Sequence, residues 1–163
     1  MGSMIDIYCK DCISEADKKG KKENTDDMVY NRLYLGIGMM FSLHNVFYGN
    51  TQFFEKAFIY DEVTEENIQH DIKRLLSEGA TPGDEYDRCI YYCEHCQSYE
   101  LKFYFTLLTG SKVYEPIYNC GLCSKEMVMI PDDRGLESIK KKILKCRKCG
   151  GSNFEIEDVG CWD

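Results

Sequence analysis

Four Cys-x-x-Cys pairs constrain this 163-residue chain more than any other feature: Cys9/Cys12, Cys93/Cys96, Cys120/Cys123 and Cys146/Cys149. Each has the shape of a knuckle, a tight turn that aims two thiolates at one point. A tetrahedral Zn²⁺ site needs two such turns, so four pairs make two closed four-cysteine sites. The spacing therefore predicts two structural zinc ions, with Cys9, Cys12, Cys93, Cys96, Cys120, Cys123, Cys146 and Cys149 as the ligands.

Other chemistries use the same doublet. A thioredoxin-like redox site needs one pair, at a strand–helix junction in a βαβ context, and four pairs between strand-like segments do not fit it. Haem attachment needs His directly after the second Cys, where this chain has Ile13, Gln97, Ser124 and Gly150. Iron is the real competitor, because thiolate quartets also hold a single iron in rubredoxin-like sites. Disulfides suit an exported chain, but no signal peptide precedes Cys9 and doublet spacing belongs to metal ligands. With many reduced thiols expected, the cytoplasm is the expected compartment, and no apolar run approaches the ~18 residues of a membrane span.

Which knuckle joins which is not fixed by spacing. The later pairs are almost evenly set, 27 residues from Cys93 to Cys120 and 26 from Cys120 to Cys146, with unlike residues between them. The favoured pairing joins Cys120/Cys123 to Cys146/Cys149 and Cys9/Cys12 to Cys93/Cys96. The rival joins Cys93/Cys96 to Cys120/Cys123 through the hairpin between them. On the favoured pairing the chain reads as an N-terminal zinc-ribbon unit over 4–110, with a helical insert at 38–80, and a C-terminal ribbon over 111–163. One compact domain is the alternative organisation. The expected class is α+β: small antiparallel ribbons around an inserted helical segment.

Along the chain, Met1-Gly2-Ser3 reads as a cloning remnant, with Met4 as natural start. Residues 4–8 read as a strand. Residues 14–27 carry nine charged side chains and almost nothing apolar, which predicts a loop. VYNRLYLG is a further strand. Gly36-Ile37-Gly38 lacks the third glycine and the Lys-Ser/Thr of a phosphate loop, so it reads as a turn. Short helices are expected around Leu43–Phe47 and Phe53–Phe58. The clearest helix is 65–78, with Thr64 as N-cap, Val63 and Ile68 as a hydrophobic staple, and a buried stripe of Ile68, Ile72, Leu75 and Leu76. Gly79 and Pro82 end it. From Arg88 the period becomes two. CIYYC, the alternating run Leu101 to Leu107, VYEPIY, EMVMI and NFEIED are all strands, with Pro116 marking an edge. A short helical stretch follows Pro131. Cys89 and Cys161, the two remaining cysteines, read as small buried hydrophobes.

The arrangement resembles a family of small zinc-ribbon proteins widespread in Firmicutes. The resemblance rests on Tyr8-Cys9-Lys10-Asp11-Cys12, Gly36-Ile37-Gly38-Met39, Tyr92-Cys93-Glu94-His95-Cys96, the pairs at 120/123 and 146/149, and Gly160-Cys161-Trp162-Asp163. Ile13, Gln97 and Ser124 depart from it, standing where glycine often follows the knuckle. It implies metal binding and implies no activity.

Function is less legible. Closed four-cysteine sites leave no open coordination position for a substrate. No nucleophile–base arrangement is readable, and the three histidines, His44, His70 and His95, are not expected as ligands. The leading expectation is therefore a non-enzymatic module that meets a protein partner. Nucleic-acid binding is the alternative, on the basic run Arg134, Lys140, Lys141, Lys142, Lys145, Arg147 and Lys148. Against it stands the net charge of −8. Each four-thiolate zinc centre adds −2, taking the chain to about −12. That is a poor start for neutralising phosphates. A redox protein, holding iron or releasing zinc on oxidation, is the third expectation.

Overall fold

The computed structural model describes residues 2–13, 29–36, 63–131 and 135–162. The charged loop, the Gly-x-Gly turn beyond Gly36, the short helices expected before residue 62, His44 and Arg134 lie outside the described residues. Two antiparallel sheets carry the fold. The first has three strands in the order β2-β1-β7, with β1 at Gly2–Cys9, β2 at Tyr30–Leu35 and β7 at Phe154–Trp162. The second has four in the order β5-β4-β3-β6, with β3 at Thr81–Cys93, β4 at Ser98–Thr109, β5 at Lys112–Tyr114 and β6 at Val128–Met129. Two helices are described, α1 at Glu66–Ser77 and α2 at Gly135–Lys140. Neither is long and apolar enough to cross a membrane.

The first sheet is assembled from the two ends of the chain. β1 is its middle strand and is antiparallel to both neighbours, with Ser3 opposite Leu35 and Cys161, and Tyr8 opposite Tyr30 and Glu155. Gly2 and Ser3, set aside in the sequence reading, extend β1, because a backbone ladder asks nothing of their side chains. Ile5, Ile7, Leu33 and Leu35 from this sheet pack with Ile90, Tyr92 and Tyr99 from the second, and with Ile139 of α2 and Leu144. On the same sheet, buried Asp6 accepts from Arg32 Nε and Nη2 at 2.7 and 2.8 Å and from the Tyr30 hydroxyl at 2.7 Å.

The larger core lies over the second sheet. Ile68, Ile72 and Leu75 of α1 meet Phe103, Phe105, Leu107, Tyr91 and Tyr118, and Cys93 and Cys120 belong to the same cluster. The expected stripe holds except at Leu76, which is exposed; Ala80 takes its place in the core. The reason is the helix end. Ala80 N–H reaches Leu75 O at 2.9 Å and Gly79 N–H reaches Leu76 O at 3.1 Å, with Gly79 at φ +87°. This pattern folds the chain back over the last turn, which glycine alone does without strain.

The start of α1 also differs from expectation. Glu65, not Thr64, is the N-cap residue, and it makes no side-chain cap bond. Its carboxylate is taken by Lys102 Nζ at 2.6 Å, and Gln69 Nε2 secures the turn by donating to Val63 O at 2.6 Å. Val63 and Ile68 are nonetheless both buried in one cluster, although with Glu65 as the cap they no longer stand at the N′ and N4 positions of a staple. Strand β3 starts much earlier than Arg88, and it is irregular between Pro82 and Tyr86. There Gly83 lies against Thr106: a Cβ on it would stand 2.0 Å from Thr106 Oγ1.

Candidate metal centre

The register of the strands decides how the knuckles pair. Cys93 is opposite Ser98 across β3 and β4, so the Cys93-Glu-His-Cys96 knuckle is itself the hairpin turn. The Cys120-Gly-Leu-Cys123 knuckle is the tip of a second, smaller hairpin. Its legs are tied by the Asn119–Glu126 bridge and by Met127 N–H to Tyr118 O at 2.9 Å. β6 continues that hairpin and pairs with β3, Tyr92 opposite Val128, which sets the two tips side by side. Cys93, Cys96, Cys120 and Cys123 form one quartet.

The other quartet spans almost the whole chain. β1 runs out at Cys9, opposite Phe154 at the start of β7. The knuckle following β1 and the knuckle preceding β7 therefore emerge at one end of the sheet. Lys10 N–H donates to Asn153 O at 2.8 Å, and Asn153 Nδ2 donates to Asp11 Oδ1 at 2.8 Å, fastening the two turns together. Cys9, Cys12, Cys146 and Cys149 converge here. The favoured pairing is thus corrected. Cys146/Cys149 joins Cys9/Cys12, not Cys120/Cys123, and Cys93/Cys96 joins Cys120/Cys123, the rival half of the sequence reading. Sequence distance misled because the outermost strands are neighbours in space.

The sulfur geometry tests the metal directly. Four ligands at the ~2.3 Å of a zinc–thiolate bond, set tetrahedrally, have their sulfurs roughly 3.8 Å apart. Sγ of Cys9 and Cys149 are 3.7 Å apart, Cys12 and Cys146 3.8 Å, and Cys93 and Cys123 3.6 Å. All ten cysteines are free thiols. In each quartet the sulfurs lie within 4.8 Å of one another, close enough to share one ion. The residues present fit a tetrahedral thiolate metal.

Electrostatics point the same way. Close thiol neighbours, Cys149 first and then burial, push Cys12 up to about 12. Cys123 and then burial do the same to Cys96, also up to about 12. Burial raises Cys9 and Cys93. Burial also works against ionising Cys120, but the Leu122 N–H and the Ser98 hydroxyl outweigh it and bring that thiol down to about 7. Cys146 is lowered in the same manner by the N–H groups of Cys149 and Lys148, against burial. One sulfur in each quartet is thus prepared as a thiolate, while Cys9, Cys12, Cys93 and Cys96 resist ionising until a cation arrives. Metal binding supplies that cation and expels the protons.

Backbone hydrogen bonds hold the turns. The amides of Cys120 and Lys125 and of Cys146 and Gly151 are joined N–H to O at 2.8 and 2.9 Å, closing both loops. Cys96 N–H points at Cys93 Sγ and Leu122 N–H at Cys120 Sγ, each at 3.4 Å, and Gly151 N–H points at Cys149 Sγ at 3.4 Å. Gly150 follows its knuckle at φ +71°, in the left-handed region. Gln97 and Ser124 adopt the same conformation, at φ +54° and +58°, although neither is glycine. The departures at these two positions therefore leave the turn intact, at a cost in backbone energy.

Several supporting residues carried no sequence motif. Glu100 Oε1 accepts the Gly121 N–H at 3.0 Å, and Lys102 joins Glu100 at 2.9 Å to Glu65 at 2.6 Å. That chain of contacts ties the third knuckle to the start of α1. Of the histidines, His70 is exposed on α1, and His95 Nδ1 lies 3.8 Å from Cys96 Sγ, outside a quartet that is complete without it. Cys89 is buried, as expected, but Cys161 is exposed on β7, which corrects the reading of that residue. No protein-family model matches the chain, and neither a curated protein nor a solved structure matches it.

Proposed function

We propose that the chain is a zinc protein whose two four-cysteine centres are structural, and that it works by contact with another protein, not by catalysis. The single observation that carries the metal half is the sulfur spacing of 3.6–3.8 Å in quartets composed only of thiols. Four thiolates complete a tetrahedron, so nothing can bind at the metal without displacing a ligand. Membership of the zinc-ribbon family that the chain resembles belongs with this reading.

The partner half is supported by exposed apolar side chains on the hairpin that carries the third knuckle. Ile117, Leu122 and Val128 are 60%, 53% and 51% exposed, while Tyr118 and Met127 between them are buried. A hairpin stiffened by a metal can offer such residues at little cost in ordering. The nucleic-acid alternative has less to draw on. Lys140 is paired with Glu137 at 3.5 Å, and Lys142 lies 4.9 Å above the Tyr92 ring and 3.7 Å from Glu94.

Elemental analysis of the purified chain is the first test. Two zinc ions per chain and a colourless solution are expected; stoichiometric iron would replace zinc in this reading. Crosslinking in native cells, with Ile117→Asp/Val128→Asp as control, tests the partner. A protein adduct lost in the control is expected. Recovery of nucleic acid alone, with a gel shift that weakens as salt rises, would favour the alternative.

A further inference from the structure

The two quartets have the same ligands but different surroundings. Cys93 and Cys120 sit in the larger core, and Cys96 and Cys123 pack against it. Two backbone N–H groups and the Ser98 hydroxyl, 3.6 Å from Cys120 Sγ, surround those sulfurs. Among the described residues, the other quartet belongs to a small cluster in which Val29 joins Cys9 and Cys146 as a buried residue, and the Gly151 N–H lies 3.4 Å from Cys149 Sγ. Cys149 is the one exposed cysteine in either quartet. Charge differs as well. Lys10, Asp11, Arg147 and Lys148 lie inside its knuckles, whereas Glu94, His95, Gly121 and Leu122 lie inside the others. Accessible thiolates with basic neighbours are the ones that react.

Resting on the zinc reading above, we infer that the Cys9/Cys12/Cys146/Cys149 centre is a redox-sensitive clasp, opened by a peroxide, and that the other centre is permanent. The chemistry starts at the exposed cysteine. The Cys149 thiolate attacks one peroxide oxygen; an S–O bond forms, the O–O bond breaks, and hydroxide leaves to take up a proton. The Cys9 thiolate, 3.7 Å away, then attacks the resulting sulfenic sulfur. The S–S bond forms, the S–O bond breaks, and a second hydroxide leaves as water. Two thiolates have lost two electrons, and one peroxide has become two waters. Two remaining thiolates no longer complete the site, and zinc leaves.

Position gives this opening a consequence. The centre joins the end of β1 to the approach to β7, so its loss releases the edge strand of the first sheet. The β3–β4 hairpin keeps its own metal and its own core.

The test uses the intact chain loaded with zinc, hydrogen peroxide as oxidant, and a chromogenic chelator to read released metal. Peptide mapping locates the disulfide, and hydrogen exchange follows the strands. One of the two zinc ions is expected in an early phase. A disulfide within the Cys9/Cys12/Cys146/Cys149 set and raised exchange in β7 should accompany it, with β3 and β4 unchanged. Cys161→Ser removes the other exposed thiol and should leave the early phase as it was. Both ions lost in one phase, earlier oxidation at Cys93/Cys96/Cys120/Cys123, or an early phase abolished by Cys161→Ser would overturn the inference. A starting content other than two zinc ions would fail the zinc reading itself, and this one with it.

Discussion

Replacing one ligand in each centre separates the two halves of the molecule. Apparent zinc binding in small four-ligand sites is worth ~10–16 kcal/mol, so each of four thiolates accounts for roughly 2.5–4 kcal/mol. At about 1.4 kcal/mol per tenfold, Cys149→Ser should weaken that centre by a factor of about 10² to 10³. Whole domains are stable by only about 5–15 kcal/mol, so such a loss is large wherever it is felt. The structure says where. Among the described residues, the buried support around this centre is Val29, with Ile13 and Phe154 partly buried, and the next layer is Ile5 and Ile7 on β1 with Leu33 and Leu35 on β2. Cys149→Ser should therefore lower exchange protection in β1, β2 and β7 by up to that same factor. It should leave β3, β4 and the 118–127 hairpin protected. Cys96→Ser should do the reverse around residues 93–98 and 118–127, with the first sheet retained. Hydrogen exchange with mass analysis reads both, and each variant should keep one zinc. If Cys149→Ser loosened residues 118–127 and spared the first sheet, the pairing of the knuckles described above would be wrong.

Gly83→Ala should destabilise the chain by about 1–3 kcal/mol in urea unfolding, since the added methyl meets Thr106, which is itself buried. Ser124→Gly should stabilise by about 0.5–1 kcal/mol, because release of the left-handed strain of ~1–2 kcal/mol exceeds the entropy that glycine adds; urea unfolding of the zinc-loaded chain checks it. Burial, with Asp6 next, pushes the Tyr30 phenol up to about 12 from an ordinary value of 10. The folded state therefore holds that proton more tightly than the unfolded state. Its contribution is complete below pH 10 and is lost as pH rises from there to about 12. Tyrosinate absorbance should thus show this phenol titrating late, and Tyr30→Phe should flatten the alkaline fall in stability.

Much of this protein was legible in the chain alone. The eight thiols that converge were marked by their doublets, because a knuckle is a local turn and its spacing is its geometry. The same holds for β2 and β4 and for the helix with its glycine stop, whose periods of two and 3.6 are written residue by residue. Lys102 between Glu65 and Glu100, Asp6 beneath Arg32 and Tyr30, and Gly83 against Thr106 were not legible, since each joins residues that only the packed sheets bring together. Pairing of the knuckles belongs with these. Nearly equal intervals of 27 and 26 residues allowed more than one solution. The choice fell to the ladder of β1 against β7, which places Cys9 opposite Phe154 and so carries Cys146 and Cys149 to the far end of the chain. Local chemistry marked the eight thiols; long-range strand pairing, which has no local signature, decided which four would converge in each quartet.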